Sequence, residues 1–288
     1  MKLALGTVQM GLNYGVANST GRVSVEQTRC ILKRARESGI DTLDTAIAYG
    51  ESELVLGRLD IQPWKIVTKL PAVPDSYNDV TQWVRQQTLA SLNRLQVRRL
   101  YGLLLHHPGQ LLENRGHLLY EALQAVKADG LVAKVGVSVY CMTELALLFE
   151  TYIFDLVQAP LNILDRRLVD LGWVTRLKFA GIELHTRSAF LQGLLLMPAD
   201  KRPYGFKRWA EVFQEWDRWL AKTGLSPLQA CLRYVNSIPT VDRVVVGVDT
   251  IDQLNQIIDA VDGMLVSLPE FKALQDDRLI NPATWDNL

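Results

Sequence analysis

Short apolar runs alternate with stretches of helical periodicity from one end of this chain to the other. The aliphatic runs predict strands at 3–8 (LALGTV), 41–46, 65–70 (KIVTKL), 100–106, 132–138 (VAKVGVS), 155–161 (DLVQAPL), 182–189 and 241–248 (VDRVVVGV). Between them, apolar positions recur three and four apart over 25–38, 51–59, 79–95, 116–129, 142–150, 167–180, 206–222 with 226–236, and 251–261. That spacing is the buried face of a helix. Nearly continuous apolar strands are covered on both sides, as in a parallel sheet flanked by helices. Repeated in this way, the alternation predicts an α/β fold, a closed (β/α)8 TIM barrel. A doubly wound sheet competes, but no GxGxxG follows the first strand. No linker or low-complexity segment interrupts the pattern, so a single domain over 1–288 is expected. The longest irregular stretch, 195–206 (LLMPADKRPYGF), follows the seventh strand and is expected to form a lid or pocket wall.

Composition narrows the class. With 48% apolar residues the chain can bury a large core, and Lys plus Arg balance Asp plus Glu at 31 each, so no nucleic-acid footprint is expected. Three widely spaced cysteines, Cys30, Cys141 and Cys231, fit a reducing compartment better than a disulfide framework or zinc site. The opening MKLALG holds too short an apolar run for a signal-peptide core, and no run approaches a membrane span. A cytoplasmic protein without a membrane partner is the expectation; the oligomeric state is open.

In such barrels, active sites collect at the C-terminal ends of the strands. Asp44, Lys69 and His106 fall at that edge of the second, third and fourth strands, and Tyr49 follows in a loop. Tyrosine, with a pKa near ~10, is a poor acid at neutral pH. A neighbouring ammonium lowers that value, and a carboxylate would hold the ammonium in place. Asp44 is thus expected to anchor Lys69, Lys69 to bring Tyr49 down, and Tyr49 to protonate a carbonyl oxygen that His106 orients. None of these groups supplies a hydride, so the set calls for a nicotinamide cofactor. Taken singly, each residue has a plainer role: strand-end cap, loop aromatic, core histidine. Their joint order favours catalysis. Of the other histidines, His107 is expected to shape the pocket wall, His117 to be solvated and His185 to be packed. Trp209, Trp216 and Trp219 recur at near-helical spacing and read as core.

The residues quoted so far resemble an aldo/keto reductase, a family of (β/α)8 barrels that reduce carbonyls with NADPH. DTAIAYGESELVLG (44–57) is similar to the family's Asp-Thr-Ala-x-x-Tyr-Gly signature and the helix after it. IVTKL (66–70), LLLHHP (103–108), KVGVS (134–138), VQAPLN (157–162), FLQGLL (190–195) and VVVGVDTIDQL (244–254) continue the likeness in order. The resemblance implies a catalytic tetrad of Asp44, Tyr49, Lys69 and His106, with Tyr49 the general acid. It implies that Ser138 and Gln158 hold the nicotinamide carboxamide, that Gly6 and Thr7 lie beneath the cofactor, and that Ser188, Leu191 and Gly193 cover the pyrophosphate. Gly247, Asp249, Gln253 and Gln256 match the adenosine end.

Three positions depart from that pattern. Val139 stands where the family has Asn, and Arg187 where many members stack an aromatic ring on the nicotinamide; a guanidinium plane can also stack, or serve an anionic substrate. The cation that usually grips the 2′-phosphate is missing, and Asp249 would repel a phosphate it faced. NADPH is the first expectation and NADH the alternative. The implied activity is reduction of an aldehyde or ketone, small and polar or sugar-derived. A redox-sensing regulator that binds NADPH with little turnover is the second reading. A metal-dependent barrel hydrolase is the third, lacking the HxH spacing it would need.

Overall fold

The computed structural model of the chain describes residues 2–15, 18, 21–265, 268–269, 271 and 276–287. The aliphatic runs form strands β1 (Leu3–Gly6), β2 (Thr42–Asp44), β3 (Lys65–Leu70), β4 (Leu100–Leu105), β5 (Val132–Ser138), β6 (Leu156–Pro160), β7 (Glu183–Arg187) and β8 (Arg243–Gly247). They pair in parallel in chain order, and β8 closes on β1 through Leu3↔Val244 to Gly6↔Gly247. This is the expected (β/α)8 barrel. β3 and β5 coincide with their apolar runs, and the other six strands are shorter, because those runs include residues that leave the ladder at the rims.

The outer layer is α1 (Val25–Glu37), α2 (Ser52–Gly57), α3 (Val80–Leu95), α4 (Gly116–Ala128), α5 (Met142–Thr151), α6 (Trp173–Phe179), α7 (Ala210–Thr223), α8 (Pro227–Asn236) and α9 (Ile251–Ala260). Their starts are set by local chemistry. Ser24 and Ser226 each form a capping box with the Gln three residues on, and Asp79 and Thr250 accept from the Gln82 and Gln253 amides. The predicted helix 167–180 is instead two pieces, Arg167–Asp170 and α6, separated at Gly172, which sits at φ +74°. A left-handed residue cannot continue a right-handed helix. Residues 195–206 fold as tight 3-10 turns rather than open loop, and the predicted start of α7 at 206 belongs to one of them, Tyr204–Trp209.

One large apolar cluster lies between sheet and helices and includes Trp209, Trp216 and Trp219; the last two stack at 5.6 Å. A second, small cluster of Val67, Leu104 and Leu156 fills the middle of the barrel. Beneath it lies a polar plug. Tyr101 Oη donates to Glu183 Oε2 at 2.7 Å, and since β4 and β7 are not neighbours this bond crosses the barrel interior. Lys134 pairs with the same carboxylate, and His185 Nε2 lies 2.8 Å from its other oxygen. His185 is wholly buried, as expected. Among the described residues no helix is long and apolar enough to cross a membrane.

Burial alone would raise the Glu183 carboxyl, but hydrogen bonds from His185, Lys134 and Tyr101 outweigh it and hold the group well below the usual carboxylate range. A depressed carboxylate contributes stability that is present above its unfolded pKa of ~4.3 and is lost as pH falls through the folded value. Glu183→Gln is expected to cost about 1.5–3 kcal/mol at pH 7. In urea unfolding at a series of pH values, the gap to wild type should shrink below about pH 4. A gap that is constant with pH would remove Glu183 as the centre of the plug.

Candidate active site

The loop after β2 is fixed by close contacts before any side-chain chemistry begins. A Cβ on Gly11 would lie 1.8 Å from the Tyr49 carbonyl, so only glycine lets the turn after β1 pass against that loop. Thr7 donates its amide and its hydroxyl to the Asp44 carbonyl, both at 3.0 Å. Ser52, at the start of α2, donates to the Thr7 carbonyl at 2.9 Å and lies 3.1 Å from Thr45 Oγ1. Its neighbour Glu53 is buried and accepts from Thr68 at 2.6 Å, Ser91 at 2.5 Å and Arg94 Nε at 2.7 Å. These bonds tie α2 to β3 and α3. The tyrosine loop is therefore rigid at both ends.

At the C-terminal rim the structure brings Asp44, Tyr49, Lys69 and His106 together. Lys69 Nζ donates to Asp44 Oδ1 at 2.6 Å and to the Thr45 carbonyl at 3.0 Å, with both charged side chains at most 5% exposed. Gln158 Nε2 donates to the other Asp44 oxygen at 2.6 Å, and Ser138 Oγ lies 3.1 Å from Gln158 Oε1. The Tyr49 ring lies 5.1 Å from Lys69 Nζ and edge-on to His106, centroids 5.9 Å apart. Burial and then Asp44 push the Tyr49 phenol up, with Arg187 opposing. The expectation that Lys69 brings Tyr49 down is corrected in its net sign: loss of water and the Asp44 charge dominate at the phenol. Burial, followed by the nearby charges of Lys69, His107 and Arg187, brings His106 down to about 3. At neutral pH the pair is a neutral phenol and a neutral imidazole. His106 Nδ1 is buried without a hydrogen-bond partner among the described residues.

These groups open into a cleft of about 420 Å³ along the tops of β1, β7 and β8. Of the residues expected at a cofactor, Gly6, Thr7, Gln158, Arg187, Ser188, Gly193, Gly247, Asp249, Gln253 and Gln256 line it. Ser138 stands behind Gln158. Leu191 is placed differently: its side chain is wholly buried in the core and its amide donates to the Ser188 carbonyl at 2.9 Å. Ser188, Leu191 and Gln192 have φ of +63°, +49° and +53°, unusual for side chains with a Cβ. The buried Asn162 holds this turn by donating to the Ser188 carbonyl at 3.1 Å. Met197, Pro198 and Tyr204 do not line the cleft. His107, expected in the pocket wall, is exposed instead, while His117 is solvated.

Sequence reasoning missed Gln9, Tyr14, Asn18, Tyr140 and Gln192, which all line the cleft. Tyr140 packs under the Arg187 guanidinium, 3.8 Å from its ring centroid. Gln192 Nε2 donates to Tyr14 Oη at 3.2 Å, and Asn18 Nδ2 to Asp249 Oδ1 at 3.2 Å, so the segment after β1 bridges the β7 and β8 loops. Tyr140 follows a strand end, a signal that could have found it; the others lie in loops or single helical turns after β1 and β7, where polarity is uninformative. Chemically, the cleft can present one proton donor, one neutral imidazole and one guanidinium to a polarised group. Among the described residues no three His, Cys, Asp or Glu side chains are grouped to hold a metal ion.

Comparison with known proteins agrees with this architecture. An aldo-keto reductase from Bacillus halodurans, in its holo form, superposes with a TM-score of 0.71 at 20% identity, over 92% of this chain and 88% of that one. A glycerol dehydrogenase from Gluconobacter oxydans gives a TM-score of 0.69 at 21% identity, over 92% and 88%. In sequence, an "Uncharacterized oxidoreductase YqkF" of Bacillus subtilis (strain 168) is 25% identical over 95% of both chains. The profile of the Aldo/keto reductase family matches residues 2–275, nearly the whole chain, and the chain belongs to that family of oxidoreductases.

Proposed function

We propose that this chain reduces an aldehyde or ketone to an alcohol in a single barrel domain, with Tyr49 as the general acid and a nicotinamide dinucleotide as the reductant. One observation carries the reading: a phenol kept protonated by burial, a neutral imidazole beside it, and a sealed Lys69–Asp44 pair behind both. When bound, the dinucleotide supplies the hydride that no side chain here can supply. Tyr49 Oη gives its proton to the substrate oxygen as negative charge develops there, and recovers one from solvent afterwards. The Lys69 ammonium, 5.1 Å from the Tyr49 ring centroid, stabilises the transient phenolate. His106, uncharged, orients the carbonyl without competing for the proton.

The cleft suits the dinucleotide. Gly6 and Gly247 keep its floor low; a Cβ on Gly247 would lie 2.3 Å from Gln9 Nε2. Gln9 Oε1 is a buried acceptor without a partner among the described residues. Gln158, steadied by Ser138, would face the carboxamide; Thr7, Ser188 and Gly193 would flank the pyrophosphate, with Leu191 anchoring their turn from the core. Since the nicotinamide must sit at Tyr49, adenosine would occupy the far end, at Asp249, Gln253 and Gln256. Among the described residues that line the cleft, Arg187 is the one cation, and it belongs to the Tyr49 end. A carboxylate suits a free 2′-hydroxyl and repels a phosphate. The far end therefore favours NADH over the NADPH that the resemblance implies.

Tyr49→Phe is expected to lower kcat at least ~100-fold while leaving the cofactor Kd within about twofold, measured by fluorescence titration beside carbonyl turnover. Unaltered turnover would sink the assignment of the acid. Because His106 titrates near 3, kcat/KM should show no histidine-type inflection between about pH 5 and 8. An inflection near 6.5 that disappears in His106→Gln would overturn the neutral-imidazole role. Asp249→Ala should shift relative affinity toward NADPH about 3- to 10-fold. An unchanged NADH to NADPH ratio would place the 2′-position elsewhere.

A further inference from the structure

Arg187 ends β7 and lines the cleft at its Tyr49 end, half-buried. Its guanidinium is held in place: Nη2 donates to the Val139 carbonyl at 2.9 Å, Nη1 reaches Ser188 Oγ at 3.4 Å, and the plane lies against the Tyr140 ring. What it lacks among the described residues is a paired carboxylate. No carboxylate is within ion-pair distance of Arg187 among the described residues; half-buried Arg34, Arg166 and Arg233 share that lack, but none of them lines the cleft. The nearest candidate by location, Asp44, already accepts from Lys69 and Gln158. An arginine cannot shed its proton to relieve the imbalance. Its charge is felt at Tyr14, Tyr49, Lys69 and His106, and among the described residues that line the catalytic end of the cleft the one carboxylate, Asp44, is already paired with Lys69, which leaves an excess of one positive charge there.

We propose that Arg187 is a substrate-binding group, and that the carbonyl substrate carries a carboxylate or phosphate which Arg187 pairs with while its carbonyl oxygen meets Tyr49. The inference rests on the reductase reading and narrows it to anionic carbonyl compounds. A guanidinium braced by a carbonyl on one edge and an aromatic ring on one face presents its remaining N–H groups in a fixed direction, the arrangement suited to a planar or tetrahedral oxyanion. The two phenols beside it, Tyr14 and Tyr140, add donors at the same rim. Pyrophosphate of the dinucleotide is the other source of an anion, and the experiment separates the two.

The test compares 4-carboxybenzaldehyde with the near-isosteric, neutral 4-carbamoylbenzaldehyde, using wild type, Arg187→Met and Arg187→Lys. Each protein's cofactor Kd is measured by fluorescence titration. Wild type should prefer the carboxylate about 10- to 100-fold in kcat/KM, mainly through KM. That KM should rise with salt while the amide's does not. Arg187→Met should abolish the preference with the cofactor Kd within about twofold, and Arg187→Lys should restore part of it. A wild-type ratio near one overturns the proposal. So does an equal loss on both aldehydes accompanied by weaker cofactor binding, which assigns Arg187 to the pyrophosphate. Cofactor binding with neither aldehyde reduced overturns both the proposal and the reductase reading.

Discussion

Everything at the rim of this barrel depends on an ammonium and a carboxylate buried together. Lys69 and Asp44 are almost fully removed from water, and burying two charges costs several kcal/mol each unless the remaining polar valences are satisfied. Here they are: the ammonium also donates to the Thr45 carbonyl, and the second carboxylate oxygen accepts from Gln158. The pair also fixes register. Asp44 pairs with Val67 across β2 and β3, and side chains alternate sides along a strand. A slip of one residue would turn either charge out of the barrel and strand the other inside. Such a pair adds little net stability, but it makes misregistered barrels much worse, so it serves specificity more than strength.

The same pair organises the electrostatics of the cleft. With Asp44 neutralised, the groups that face the open space are a protonated phenol, an uncharged imidazole and the Arg187 guanidinium, with Asp249 at the opposite end. The cleft is thus positive where a carbonyl would be reduced and negative where an adenosine ribose would lie. A proton donor with a raised pKa is a weak acid in the ground state. It becomes effective only as the substrate oxygen acquires charge, and the ammonium behind the ring and the guanidinium beside it both favour the phenolate that results. The stabilisation is felt in the transition state rather than on substrate binding, which is where it accelerates reaction.

Which parts were legible follows from what each residue does to a pattern. The strands were legible because burial on both faces writes an unbroken aliphatic run, and Asp44 and Lys69 because charges inside such runs violate it. Glu53 was not: in sequence it is one more acidic residue on a short helix, yet Thr68, Ser91 and Arg94 bury it. Tyr14 and Gln192 reach the cleft from segments far apart in the chain and signal nothing locally. The break at Gly172 was missed because the apolar periodicity on either side stays in phase. The net effect at Tyr49 runs opposite to the expectation for a deeper reason. Proximity of charges can be guessed from order along the chain, but the loss of water that outweighs it depends on depth, which only the closed barrel sets.

Depth also explains why the wall after β7 is built with strain. Ser188, Leu191 and Gln192 occupy left-handed backbone, a cost of order 1 kcal/mol or more each for residues with a Cβ. That cost is offset by burying Leu191 and by the Asn162 bond to the Ser188 carbonyl. A turn anchored by a core leucine and a buried amide has one arrangement rather than several, so Ser188 and Gly193 face the cleft at a fixed depth. The segment after β1 is held differently, at its tip by the hydrogen bonds of Tyr14 and Asn18 to Gln192 and Asp249. These contacts are individually worth about 1 kcal/mol and can be broken without disturbing the core. Of the two walls, the β7 turn is therefore the one whose position the core sets, whereas Tyr14 and Asn18 take their places at the cleft through hydrogen bonds to its opposite wall.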